Sequence, residues 1–332
     1  MKAVLLEGFG GPEVLRVGDA PAPALAPGRV LIRVAATSVN RPDAVQRQGH
    51  YPPPPGESEI LGLEAAGTVE AVADDVRGFA PGDRVLALLG GGGYAELALA
   101  HAGHVLRVPE SMSFEEAACV CEAYITAYLN VFLLAGLKDG ETVLLHGGGG
   151  GVNTAALQLC RVLAPAARIV VTASSGKIER VRELGAHLVV DYKCEDFAEA
   201  VLAFTGGRGC DVILDHLGAP YLGPNLKALA VGGRLALIGV MGGRKAEIDL
   251  ARLMVRRQQI IGSVLRPRPV AEKAAIIERF EREVMPHFAA RTIVPLIHRV
   301  YPLEQAAEAH RAMEAGEHFG KLVLRVADRS SF

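Results

Sequence analysis

Five glycines in a row, residues 147–151, stand between the apolar run Thr142-Val143-Leu144-Leu145-His146 and the segment Val152-Asn153-Thr154. The apolar run reads as a buried strand, and the residues after the glycines carry helical periodicity over 152–164. A glycine turn between the two opens a strand–turn–helix unit. The alternation then continues. Strand-like runs at 142–146, 168–173, 187–192, 210–217, 234–240 and 260–265 are separated by intervals at 152–164, 176–184, 195–204, 220–229 and 249–257, most with helical periodicity. Six strands joined by five crossovers predict an α/β fold with a doubly wound parallel sheet.

The glycines admit two readings, a phosphate-binding turn or a plain flexible one. Their place after a strand and before a helix favours the first, because glycine there lets the backbone approach a pyrophosphate that the helix N-terminus attracts. Set against G-x-G-x-x-G, residues Gly148, Gly150 and Asn153 keep the turn but put Asn where the third glycine packs helix on sheet. Asn is a capping residue type, so phosphate binding is compatible with that departure. The second strand ends Val171-Thr172-Ala173-Ser174-Ser175-Gly176-Lys177. A carboxylate at that place would bind the ribose 2′-hydroxyl of NAD. With none there, and with Ser174, Ser175 and Lys177 able to bind a 2′-phosphate, NADPH is the expected cofactor. The alternative for Lys177 is a solvated helix lysine.

With 332 residues, half of them hydrophobic (50%), and a mean hydropathy of +0.25, the chain is long and apolar enough for two cores. Lys+Arg of 35 against Asp+Glu of 37 leaves a formal charge of −2, so no overall field draws it to nucleic acid or anionic membrane. A small-molecule partner follows. The apolar run of the first seven residues is too short for a signal peptide and no later run reaches the ~18 residues of a membrane span, which gives a cytoplasmic expectation. Five cysteines, Cys119, Cys121, Cys160, Cys194 and Cys210, without a CxxC, argue against disulfides and a four-cysteine zinc lobe. Residues 1–120 read as β-rich, with strands near 30–34, 66–72 and 83–88 and no helix of ordinary length. Ser113 and Glu116 form a capping-box pattern ahead of a helical stretch to about residue 135, and 321–326 reads as a closing strand. His146 is expected as a satisfied strand-end histidine. Arg252, Arg256, Arg257, Arg266 and Arg268 read as a solvated basic face, with RNA binding as the minor alternative.

Several motifs add a resemblance. They are Ser38-Val39-Asn40-Arg41-Pro42-Asp43, Gln46-Arg47-Gln48-Gly49-His50-Tyr51, Ile60-Leu61-Gly62-Leu63-Glu64-Ala65-Ala66-Gly67, Gly92-Gly93-Tyr94-Ala95, Glu122-Ala123-Tyr124-Ile125-Thr126-Ala127 and Gly320-Lys321-Leu322-Val323-Leu324. Together with the glycine run they resemble the zinc-free quinone oxidoreductases of the zeta-crystallin type, in the medium-chain dehydrogenase/reductase superfamily, and most closely the tumour-suppressor-inducible branch. The resemblance implies a GroES-like catalytic domain over 1–122 and 267–332 and a Rossmann NADPH-binding domain over 123–266. It implies Asn40 and Thr126 near the nicotinamide, Gly150, Gly151 and Val152 at the pyrophosphate, and Ser174, Lys177 and Tyr192 at the adenosine end. Leu217, Gly239, Val240, Met241 and Leu265 would line the cofactor, with Lys321 approaching it from the catalytic domain. Tyr51, on a proline-stiffened loop, matches a tyrosine at the substrate mouth and, with Asn40, is the catalytic candidate. For Asn40 the alternative is a turn residue beside Pro42, and for Tyr51 a ring that covers apolar surface. Zinc enzymes of the superfamily carry Cys and His where this chain has Asn40 and Leu63, so no metal is expected. The implied activity is reduction of quinones, ortho-quinones included, by NADPH in a homodimer paired through the strand around 259–265. Alternatives are reduction of α,β-unsaturated carbonyls, for which Tyr51 is the acid candidate, and a non-catalytic NADPH-binding or RNA-associated protein.

Overall fold

Gly147 has a φ of +75°, and a Cβ on Gly148 would stand 2.4 Å from Val171 Cγ1, so the turn after the first strand of the alternating region admits only glycine at these places. In this computed structural model, which describes residues 1–327, the chain forms two compact units. One is Thr126–Val264; the other joins Met1–Ile125 to the chain from Leu265 onward.

The Thr126–Val264 unit carries six strands: Thr142–His146, Arg168–Ala173, Leu188–Asp191, Cys210–Asp215, Leu229–Leu237 and Gln259–Gly262. Across the sheet they run third, second, first, fourth, fifth, sixth, and every neighbouring pair is parallel. This is the doubly wound order, whose switch point lies between the first and fourth strands. Leu144, Val170, Val190, Ile213 and Leu235 pack with Phe197 and Val201 in its core. The fifth strand starts at Leu229, five residues ahead of the expected 234, because Leu229, Ala230 and Val231 continue as strand directly from the helix Ala219–Ala228.

In the other unit a seven-stranded sheet centres on the long strand Arg29–Val39, which pairs antiparallel with Glu64–Val72, Leu97–His101 and Lys321–Arg325. The expected strands are present. The region holds no helix of ordinary length, as expected, but it does hold a short one that the sequence did not reveal: Arg41–Arg47, seven residues, with Pro42 in its first turn. Pro42 reads as a breaker but is pre-organised for that position, and Asp43 closes the start by accepting the Asn40 N–H at 2.8 Å. Asn40 is therefore a helix N-cap and not a simple turn residue. The Ser113–Glu116 box forms as expected, with bonds of 3.0 and 3.2 Å, and leads into Phe114–Ala117 and Cys121–Tyr128. Among the described residues no helix is long and apolar enough to cross a membrane.

Candidate functional site

The helix Gly151–Leu163 begins directly on the glycine turn, with Gly150 as its N-cap. Gly147 and Gly148 direct their N–H groups to the Thr172 carbonyl, and Gly150 directs its own to Gly147. The N–H groups of Gly151 and Val152 lie in the first helical turn, where the helix offers no acceptor. These two N–H groups, at a helix N-terminus with a bare glycine backbone before it, form a cradle with the character that attracts phosphate. Asn153 does not cap this helix; it lies inside the first turn, 4% exposed, with Oδ1 lacking a hydrogen-bond partner.

Beneath the cradle runs a buried polar chain that sequence reading does not reveal. The Gly147 N–H donates to Thr172 Oγ1 at 3.1 Å, and Thr172 Oγ1 lies 3.1 Å from His146 Nδ1. His146 Nε2 meets Asn225 Oδ1 at 2.7 Å, and Asn225 Nδ2 donates to Asp215 Oδ2 at 3.0 Å. Asp215 Oδ1 accepts the Leu217 N–H at 2.6 Å. Because Asn225 spends its amide on Asp215, Nε2 must be the protonated nitrogen of His146. Burial pushes the His146 pKa down to about 3, so the ring is neutral and serves as a strut, as expected of it. The chain pins the glycine turn to the turn at Leu217. There the Met241 and Gly242 N–H groups bond the His216 and Leu217 carbonyls at 3.0 and 2.8 Å, which gathers Leu217, Gly239, Val240 and Met241 on one loop pair.

At the end of the second strand, Ser174 precedes a short 3-10 turn, Ser175–Lys177. The Lys177 side chain arches over the glycine turn: a Cβ on Gly149 would fall 2.5 Å from its Cδ and 3.0 Å from its Nζ. Tyr192 is exposed at the end of the third strand. The argument from a missing carboxylate needs correction. Asp191, on the third strand, accepts the Ser175 hydroxyl and the Lys193 N–H, and that hydroxyl holds its pKa below the usual carboxylate value. The basic face is also corrected: Arg252 and Arg256 turn onto the Leu226 and Leu229 carbonyls, and Arg266 is buried in the other unit.

The other unit holds Asn40 and Lys321 in one buried knot with Glu64. Lys321 Nζ donates to Asn40 Oδ1, to Glu64 Oε1 at 3.1 Å and to the Val39 carbonyl at 3.4 Å. Asn40 Nδ2 donates to Glu64 Oε1 at 2.9 Å, and Ser38 Oγ to the same oxygen. The Glu122 N–H takes Glu64 Oε2 at 2.8 Å. Lys321 thus spends all three donors within the protein. Close by, burial raises Asp43 to about 6 against two backbone hydrogen bonds, and burial followed by the Glu64 charge raises Glu122 to about 8. Burial, then Glu122, also raises the Tyr51 phenol, while Arg266 opposes them. Asp43, Glu64 and Glu122 lie within the motifs quoted above but were not singled out as site candidates; Glu64 and Glu122 stand out in the sequence only as carboxylates inside apolar segments, and Asp43 gives no such signal. Thr126 lies on Cys121–Tyr128 with its carbonyl bonded by Asn130 Nδ2 at 2.8 Å, and Leu265 is buried.

A catalytic zinc does not fit these residues. Asn40 Oδ1 already holds an ammonium group, and Leu63 is fully buried with no donor atom. A dinucleotide does fit, through the cradle, Lys177 and the loop pair at Leu217 and Met241.

A doubly wound parallel sheet with a glycine turn at its switch point, in a chain that also carries a GroES-like unit, defines a nucleotide-dependent dehydrogenase or reductase. Residues 26–110 match the alcohol dehydrogenase GroES-like domain, and residues 184–324 match a model described as zinc-binding dehydrogenase. Human quinone oxidoreductase is 34% identical over 98% of this chain and 97% of its own. Among solved structures, a mycobacterial protein in complex with NADPH superposes with a TM-score of 0.88 at 31% identity, covering 98% of this chain and 100% of that one. An NAD-dependent alcohol dehydrogenase gives 0.87 at 34% identity, with coverage of 98% and 100%. The chain belongs to the medium-chain dehydrogenase/reductase superfamily and is an oxidoreductase related to quinone oxidoreductases along its length.

Proposed function

We propose that this protein is a zinc-independent NADPH:quinone reductase. The observation that carries the reading is the Lys177 side chain laid across Gly149, which sets a positive charge beside the phosphate cradle. When bound, NADPH supplies the hydride. The chain's part is to hold the dinucleotide at 147–152, to grip a 2′-phosphate with Ser174, Lys177 and Tyr192, and to present Asn40 in the fixed orientation that Lys321 and Glu64 impose. Tyr51 offers a ring for a flat acceptor. A quinone that takes a hydride leaves a phenolate that water protonates, so this chemistry needs no placed acid.

Two observations favour second readings. Asp191 beside Ser175 is a carboxylate able to accept a ribose 2′-hydroxyl, which favours NADH. Glu122, still protonated at neutral pH and facing Tyr51, is an acid suited to the enolate carbon formed from an α,β-unsaturated carbonyl. Assembly as a homodimer is part of the proposal: Gln259–Gly262 is one of the sheet's two edge strands, with Ile260 and Val264 exposed on and beside it. Turnover of NADPH with a panel of ortho-quinones, para-quinones and alkenals tests the acceptor. The proposal expects quinones to give the highest kcat/KM; a clear preference for alkenals, or no turnover with any acceptor, overturns it.

A further inference from the structure

Arg266 is 4% exposed, and its guanidinium is spent entirely on the segments around Tyr51. Nε and Nη2 donate to the Gly90 carbonyl at 2.8 and 2.6 Å, Nη2 to Gln46 Oε1 at 2.7 Å, and Nη1 to the Tyr51 carbonyl at 3.1 Å. The same guanidinium lies 5.2 Å from the centre of the Tyr51 ring, within cation–π range. Its anchors are themselves fixed. Gln46 belongs to the helix Arg41–Arg47 and donates to the Glu59 carbonyl at 2.9 Å, while Lys273 Nζ holds the Arg266 carbonyl at 3.2 Å. Taking a guanidinium out of water is costly, and only a fork that needs several converging acceptors justifies it over an apolar side chain of like volume. Here three of the four bonds fix the helix end and the Gly90 turn, and the fourth, with the ring contact, falls on Tyr51.

We propose that Arg266 is the positioning residue of Tyr51, anchoring its main chain and backing its ring so that the phenol presents one face to a flat aromatic acceptor. This rests on the reading that Tyr51 meets the acceptor. The charged groups facing the phenol are Arg266, which favours its ionisation, and Glu122, which opposes it; Arg266 in turn faces Asp43, Glu122 and Glu57. Loss of the guanidinium therefore shifts the phenol titration upward and frees the ring together.

The test uses full-length protein as wild type, Arg266→Gln, Arg266→Lys and Gln46→Ala, each paired with its Tyr51→Phe counterpart. Tyrosinate absorbance, as the difference within each pair, reads the Tyr51 titration alone, and NADPH turnover with an ortho-quinone gives kcat and KM. Arg266→Gln is expected to raise the phenol midpoint and to raise the quinone KM about tenfold with a smaller change in kcat. Arg266→Lys should return the midpoint toward wild type while the KM stays high, since the charge is kept and the fork is lost. Wild-type midpoint and KM in Arg266→Gln overturn the inference. Should that variant fail to fold, Gln46→Ala decides, because it loosens the guanidinium without removing it: an unchanged midpoint and KM overturn the inference there too. Absence of quinone turnover in the wild type would defeat the proposed function alone, and the phenol titration would still decide the placement.

Discussion

Lys177 and Asp191 put opposite charges beside the turn at 174–177, and on the proposed reading the cofactor preference depends on which one the ribose meets. A charge-assisted hydrogen bond from Lys177 to a 2′-phosphate contributes about 1.5–3 kcal/mol, so Lys177→Ala should weaken NADPH roughly tenfold to a hundredfold and leave NADH unchanged. Calorimetric titration with both nucleotides checks this, and equal losses would contradict it. At the acceptor, Tyr51→Phe keeps the apolar ring and should cost quinone kcat/KM little, whereas Tyr51→Ala should be severe. Equal damage from both would mean that the phenolic proton is required. Glu122 gives a pH signature. Its pKa rises from 4.5 to about 8 on folding, so its contribution to stability is complete below about pH 4.5 and is lost as pH climbs toward 8. Glu122→Gln is neutral throughout, so its melting temperature should exceed that of wild type by a margin that widens between those values. A margin independent of pH would show that the carboxyl is not held protonated. The glycine turn, Ser174 and Lys177 were legible in the sequence because each follows its strand within a few residues. Asp191 was not, because it comes beside Ser175 only through pairing of the second and third strands.

The six strands of the parallel sheet were readable because buried parallel strands form continuous apolar runs, and only their ends were misplaced. The helix Arg41–Arg47 was hidden by its own Pro42, a residue that breaks a helix interior yet suits a first turn. Elements are held in register by side chains that no periodicity records, and His146 is the clearest case. Replacing it with Leu leaves Thr172 Oγ1 and Asn225 Oδ1 without their partner, two buried losses that together cost about 2–4 kcal/mol. Urea unfolding of His146→Leu should show that loss together with weaker nucleotide binding, since the strut joins the glycine turn to the Leu217 turn. Unchanged nucleotide affinity in the folded variant would separate the strut from the cradle. The edge strand Gln259–Gly262 belongs to this scale as well. Ile260→Lys should convert a dimer to a monomer by light scattering at micromolar concentration, and a wild type already monomeric there would refute pairing through that edge.

Across the whole chain, the division into two units was legible as a change of period, from strands broken by Gly and Pro to alternating strand and helix. The knot of Asn40, Glu64 and Lys321 was only half legible. Asn40 and Lys321 were singled out separately, but a bond that spans 257 residues, from Lys321 to Glu64, leaves no local pattern. The same holds for Arg266, which reads locally as one arginine among five and packs 220 residues away against Gln46. On the proposed reading, these long-range ties orient two reactants and leave the reducing power to the nucleotide. The most direct test is the oxidation of NADPH and of NADH by chelator-treated protein with an ortho-quinone, followed at the nicotinamide absorbance. The account predicts sustained turnover without metal and a kcat/KM for NADPH at least about tenfold above that for NADH. Activity that disappears with the chelator and returns with zinc, or a preference for NADH, would contradict it.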